Sequence, residues 1–157
     1  MVTVSTPVSQ GEADDESGPL LAALADRAGA DVVGIEQVPG DVVMIESRLR
    51  THVEHETALV LTTGGTGLGA GDVTPEATRA VIERDAPGFA EAMRAELLRH
   101  TPDGILCRGV AGVAGRTLIL NFPESPSALE QLFGVVAPTL HHAVATLQRA
   151  GGGHHRD

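Results

Sequence analysis

The sequence predicts an α/β fold: a single-domain three-layer sandwich in which a mostly parallel central sheet is flanked by helices. Three observations predict it. Short runs rich in Val, Ile and Leu alternate along the chain with longer stretches whose apolar residues recur at helical spacing. The short runs are apolar at consecutive positions, as strands covered on both faces are. A length of 157 residues, 42% of them hydrophobic, suits one domain with a core large enough to fold unaided.

The expected strands are, in order, Val2 to Ser5, Val32 to Val38, Leu59 to Thr63, Ile105 to Cys107 and Thr117 to Asn121. Between them Leu20, Leu21, Leu24 and Ala28 share one helical face, as do Phe89, Ala92, Met93 and Leu97, and later Leu140, Val144 and Leu147. Gly29 is placed to end the first helix, and Pro87-Gly88 to separate two others, with Asp85 in the helical stretch before them. Thr74-Pro75-Glu76 reads as a helix start: Thr74 caps, Pro75 has its φ preset, and Glu76 favours the positive end of the dipole. Ser125 and Pro126 start the last helix in the same way. No repeat or long linker divides the chain, so residues 1–150 are expected to form one domain and 151–157 a flexible tail.

The formal net charge of −10 opposes nucleic-acid and anionic-membrane binding, and no local basic patch offsets it. Cys107 is the only cysteine, which excludes an intrachain disulfide and suits a reducing interior. Neither a charged leader nor an uninterrupted apolar span is visible, so a cytoplasmic enzyme or binding protein is expected. His141-His142 and the pair His52 and His55 lack zinc spacing and read as solvated helix positions. Cys107 reads as a core residue of its strand.

Ligands of an open parallel sheet collect beyond the carboxyl ends of its strands, and the most unusual stretch of the chain lies there. After the run Leu59 to Thr63, five of the eight residues from Gly64 to Gly71 are glycine, and Asp72 follows. Such a loop either makes a turn with unusual dihedrals or lets backbone N–H groups approach an anion. It fits neither a dinucleotide fingerprint, whose last small residue should pack inside the helix, nor a P-loop, which needs Gly-Lys-Ser/Thr. Asp72 is the only charge between that strand and its helix. It either makes a local Asx turn or shares a Mg²⁺ with phosphate oxygens, since Mg²⁺ commonly takes one or two carboxylates. Asp41 after the second strand is either a second such acid or a helix cap. The Ser125-Pro126 helix start is either an ordinary cap or an anion seat. Arg108 is placed either to reach a phosphate or to pair with an acid.

Thr63-Gly64-Gly65-Thr66-Gly67 followed by Asp72-Val73-Thr74-Pro75-Glu76-Ala77-Thr78 resembles the signature of the molybdopterin adenylyltransferase family, the Mog and MoaB proteins of molybdenum cofactor synthesis, also present as a domain in gephyrin. Asp15-Glu16-Ser17-Gly18-Pro19, Pro87-Gly88-Phe89, Arg108-Gly109-Val110 and the NFPESP segment fall in family order. The resemblance implies a homotrimer in which molybdopterin and Mg-ATP meet over the strand ends. It implies nucleotidyl transfer to molybdopterin with release of pyrophosphate, and a later molybdenum-insertion protein as partner. It places the pterin and phosphates on Thr63, Gly64, Gly65, Thr66, Gly67, Thr74, Pro75, Glu76, Ser125 and Pro126, and gives Asp72 and Asp41 the metal and the chemistry. Where the family reads Leu-Pro-Gly-Ser-Pro, this chain has Phe122-Pro123-Glu124-Ser125-Pro126, and Gly71 stands where an arginine often precedes the aspartate. The carboxylate of Glu124 beside an anion seat sets up a second reading, a pterin-binding or oligomer-forming paralogue that no longer catalyses.

Overall fold

The chain runs through β1 (Val2–Val4), a single helical turn α1 (Thr6–Ser9), α2 (Ser17–Arg27), β2 (Glu36–Val38), α3 (Val42–Glu54), β3 (Leu59–Thr63) and α4 (Thr74–Val81). It continues through β4 (Arg84–Asp85), α5 (Pro87–His100), a 3₁₀ turn (Pro102–Leu106), β5 (Ala111–Ala114), β6 (Thr117–Phe122) and α6 (Pro126–Arg149). The computed structural model describes residues 1–149, and the expected tail at 151–157 lies outside the described residues.

The strands form one sheet in the order β2-β1-β3-β6-β5-β4. β2, β1, β3 and β6 are parallel neighbours, so their carboxyl ends share one edge of the fold. β5 and β4 add an antiparallel edge beyond β6. Helices cover both faces, which explains the consecutive apolar residues of β3 and β6. Leu118, Leu120 and Phe122 of β6 and Leu61 of β3 pack with α2, α5 and α6 through Leu21, Met93, Leu97, Leu129 and Phe133. Ile119 and Val60, one residue out of phase, pack on the other face with Val2, Val4, Ile45 and Leu49 of α3, and Ala77 and Val81 of α4.

Several expected elements move. The first strand stops at Val4, because the Ser5 hydroxyl accepts the Val8 N–H at 3.5 Å and caps α1. The expected strand Val32–Val38 shrinks to Glu36–Val38, with Val33 82% exposed. Ile105–Cys107 is not a strand: Pro102–Leu106 winds into the 3₁₀ turn, Thr101 accepts the Asp103 N–H at 3.3 Å, and Ile105 is 74% exposed. Pro102 presets the turn, and a three-residue apolar run carries no periodicity to oppose it. Asp85 lies in β4, not in a helix. Gly29, with φ +92°, follows the end of α2 as expected, whereas Pro87-Gly88, expected to separate two helices, form the first residues of α5 just after β4.

Candidate functional site

Four parallel strands deliver their following loops to one edge, and hydrogen bonds tie those loops together. The Gly64 N–H donates to Phe122 O at 3.0 Å, and the Thr63 hydroxyl donates to Pro123 O at 3.1 Å, joining the β3 and β6 loops. The Gly40 N–H donates to the Thr6 hydroxyl at 3.0 Å, joining the β2 loop to the segment after β1. A Cβ on Gly40 would lie 2.6 Å from Gly71 O, so the loops carrying Asp41 and Asp72 touch at these two glycines.

The glycines after β3 serve two needs. Gly64 and Gly65 take φ of +93° and +67°, and a Cβ on either would lie 2.3 Å from Val4 O or the Thr74 hydroxyl oxygen, respectively. Gly67 and Gly69 leave room for the Asp72 carboxylate, whose Oδ2 would be 2.9 and 2.8 Å from their Cβ positions. That Oδ2 accepts the Gly69 N–H at 2.9 Å, while the Asp72 N–H returns to Gly69 O at 3.0 Å. The carboxylate bond runs back to the third residue before Asp72, so the expected Asx turn, which would engage an N–H further along the chain, is not formed, and Oδ1 is left without a protein partner among the described residues.

Thr74 is not the cap of α4. Val73 holds the N-cap position without a side-chain bond; the buried Thr74 hydroxyl donates to Gly64 O at 2.9 Å, and its N–H donates to Gly65 O at 3.1 Å. Pro75 is buried behind it. The carboxylate of Glu76 pairs with the Arg108 guanidinium, whose hydrogen bond holds the carboxyl below its usual range. Thr66 is buried, and Cys107 Sγ lies 3.8 Å from its hydroxyl. Cys107 itself is half-buried in the segment after the 3₁₀ turn, not in a strand core.

Asp41 caps α3, its Oδ1 accepting the Met44 N–H at 2.9 Å, and its Oδ2 has no protein partner among the described residues. Pro126 begins α6, and the Ser125 hydroxyl lies 3.0 Å from that of Ser127. Glu124 stands over the glycine loop, its Oε2 3.5 Å from a Cβ position on Gly64. Partial burial pushes its carboxyl up from the ordinary value, and the charges of Asp15 and Asp72 push it further. His141 and His142 are exposed as expected, whereas His52 is less solvated than expected, its Nε2 2.9 Å from the Glu36 carboxylate.

Two supports were not apparent from the sequence. The Asp15 carboxylate accepts from the Thr3 hydroxyl at 2.9 Å, the Gln37 amide at 3.1 Å and the Gly18 N–H at 3.0 Å, pinning β1, β2 and the start of α2. Asn121 is buried and fully engaged: its amide donates to the hydroxyls of Thr62 and Thr78 at 3.0 Å each, and its carbonyl accepts the Val110 N–H at 3.2 Å. A polar residue closing an apolar strand between Thr62 and the helical Thr78 was the available signal. A cleft of about 380 Å³ lies between α4, α5 and β5, lined by Arg79, Asp85, Arg94, Cys107 and Arg108 among others, the last two of which also touch the glycine loop.

Residues 1–142 match the family described as "Probable molybdopterin binding domain". A molybdopterin adenylyltransferase of Haemophilus influenzae is 40% identical over 134 residues, covering 83% of this chain and 68% of that protein. The Drosophila melanogaster molybdenum cofactor synthesis protein cinnamon is 38% identical over 147 residues. The chain spans only 24% of cinnamon and 22% of Dictyostelium discoideum gephyrin, to which it is 35% identical. Among solved structures, MoaB of Thermus thermophilus superposes with a TM-score of 0.85 at 44% identity, covering 93% of this chain and 92% of that one. The Mog protein of Mycobacterium ulcerans superposes with a TM-score of 0.88 at 37% identity, covering 93% and 95%.

Proposed function

Because the chain belongs to the molybdopterin-binding domain family of molybdenum cofactor biosynthesis, we propose that it is a molybdopterin adenylyltransferase. Its substrates are then molybdopterin and Mg-ATP. A terminal phosphate oxygen of molybdopterin forms a bond to the α-phosphorus of ATP, the bond from that phosphorus to the bridging oxygen breaks, and pyrophosphate leaves. Adenylylated molybdopterin remains for a molybdenum-insertion protein. The observation that carries the reading is the glycine loop itself: its Gly67, Leu68 and Val73 N–H groups have no protein acceptor among the described residues, and the Asp72 and Asp41 loops meet beside it.

Transfer of this kind is mostly placement and charge neutralisation, which suits a site without a nucleophile. Gly65 to Gly67 would seat phosphate oxygens against main-chain N–H groups, with Gly64, whose N–H is taken by Phe122 O, shaping the loop, and the start of α6 at Ser125-Pro126 would seat a second anionic group. Thr74 and Glu76 would act through the loop, since their side chains are engaged with Gly64 O and Arg108. The residues suit Mg²⁺ carried in with phosphates: Asp41 and Asp72 each keep one carboxylate oxygen unengaged, and Glu124 lies in an excess of negative charge that a cation would relieve. Bound there, Mg²⁺ would neutralise charge on the phosphates. Among the described residues no three acidic, histidine or cysteine side chains converge to hold a metal alone.

A cytoplasmic homotrimer completes the proposal; exposed Leu98, Ile105 and Leu106 offer apolar surface for self-association, and sedimentation analysis measures it. Among the described residues no helix is long and apolar enough to cross a membrane. Glu124, with its raised proton affinity over the loop, favours the second reading of a binding paralogue that does not catalyse. Isothermal titration with molybdopterin and with Mg-ATP, followed by a pyrophosphate-release assay, separates the two: binding with turnover supports the transferase, binding without turnover the paralogue.

A further inference from the structure

We infer that Arg108 is the positioning residue of the glycine loop, turning its N–H groups toward an anion by capturing the carbonyls behind them; this rests on the nucleotide-binding reading of that loop. Arg108 touches the loop at both ends. Its main-chain N–H donates to Thr66 O at 2.7 Å, its Nε to Gly67 O at 2.8 Å, and its Nη2 to Asp72 O at 2.7 Å. Glu76 holds the guanidinium from the first turn of α4 through Nη1 and, at 3.4 Å, through Nη2.

A planar trans peptide points its N–H opposite to its C=O. Capture of the carbonyls of Thr66, Gly67 and Asp72 therefore turns the N–H groups of Gly67, Leu68 and Val73 away from Arg108. These three are among the seven N–H groups of the loop, with those of Gly65, Thr66, Ala70 and Gly71, that find no acceptor among the described residues. A set of outward N–H groups with no internal partner is an anion-binding concavity, and the loop would not hold that shape unaided because its glycines are conformationally free.

Arginine suits this task where lysine does not. Its planar fork carries five donors in fixed directions and spans two carbonyls and a carboxylate at once, whereas an ammonium radiates from one point. Most of those donors are already committed, so Arg108 acts on the ligand through the backbone and not as a direct phosphate contact.

The test compares the wild type with Arg108→Ala, Arg108→Lys and, as a remote control, Arg99→Ala. Residual dipolar couplings report the N–H directions without any ligand. The couplings of Leu68 and Val73 are expected to change in both Arg108 variants, while that of Gly67, whose preceding carbonyl is held by the main-chain N–H of residue 108, and those of Leu59 to Thr63 stay constant; Arg99→Ala is expected to match the wild type throughout. The dissociation constant for Mg-ATP is expected to rise at least about tenfold in both Arg108 variants, with Lys giving no full rescue. Wild-type couplings and wild-type affinity in these variants would overturn the inference. Should Arg108→Ala fail to fold, Arg108→Lys decides. A wild-type chain that does not bind Mg-ATP would sink the proposed function, while the couplings would still judge Arg108.

Discussion

The loops after β3 and β6 leave adjacent parallel strands at the same edge of the sheet, yet they are held in different ways. The β3 loop is shaped by capture of its main chain: Arg108 and Thr74 take its carbonyls, and the Asp72 carboxylate fills the hollows above Gly67 and Gly69. The β6 loop has little of this. The Ser125 hydroxyl reaches only that of Ser127 among the described residues, and Glu124 has a carboxyl with raised proton affinity and no hydrogen-bond partner there. One loop is preorganised by its main chain and the other is governed by charge, so substitutions should damage the first and pH should move the second.

The largest expected effect is on the chemistry of the preorganised loop. Asp72→Asn keeps an oxygen to accept the Gly69 N–H, so the melting temperature should hold while pyrophosphate release falls by roughly two to three orders of magnitude, the range for removing one electrostatic contributor. An unchanged rate would remove Asp72 from the metal role. Next, Gly64→Ala combines a φ of +93° with a Cβ 2.3 Å from Val4 O, and should cost about 3 kcal/mol in urea unfolding. Gly71→Ala in the same loop meets no atom within 4 Å of its Cβ and needs no positive φ, so it should be neutral or stabilising by up to about 1 kcal/mol. Equal losses for the two would erase the contrast drawn within the loop.

Charge effects in the other loop are smaller. Glu124 has a folded-state pKa raised above its unfolded value, so its favourable contribution is complete below the ordinary carboxylate range and is lost as pH rises through the raised value. Glu124→Gln should therefore be more stable than the wild type at pH 8 and lose that advantage by pH 4, and it should bind Mg-ATP a few-fold more tightly, as titration calorimetry would show. The smallest change belongs to Glu76, whose carboxyl is held low by Arg108. Its contribution is present at neutral pH and lost as pH falls through the depressed folded value. Because the pair is substantially exposed, Glu76→Gln should cost no more than about 1 kcal/mol at pH 7 and nothing at low pH, by thermal melts across pH.

The parallel half of the sheet was legible because β1, β3 and β6 carry runs apolar on both faces, a pattern little else produces. The antiparallel edge was not. β4 is two exposed residues, and β5 reads Ala-Gly-Val-Ala, too small in side chain to stand out from a loop. The 3₁₀ turn presented Ile105 and Leu106 as if for burial and left both exposed. At the candidate site the loops could be located from glycine, proline and acid placement, because those residues signal backbone geometry locally. Arg108 was legible as the partner of an acid, which Glu76 is, but its capture of loop carbonyls, like the contacts of Asp15 and Asn121, runs between elements, and spacing alone holds no record of it. Asp41 was legible in both its possible parts, and its capping part is the one the geometry displays.

The sheet ends in strands of three residues at β2 and two at β4. So little open ladder remains at either border that another strand has almost nothing to zip onto, which guards against edge-to-edge fibre growth. Copies of this chain that do associate must meet through side chains on helices and turns, and their contacts would be sensitive to single apolar-to-charged exchanges at Leu98 or Ile105.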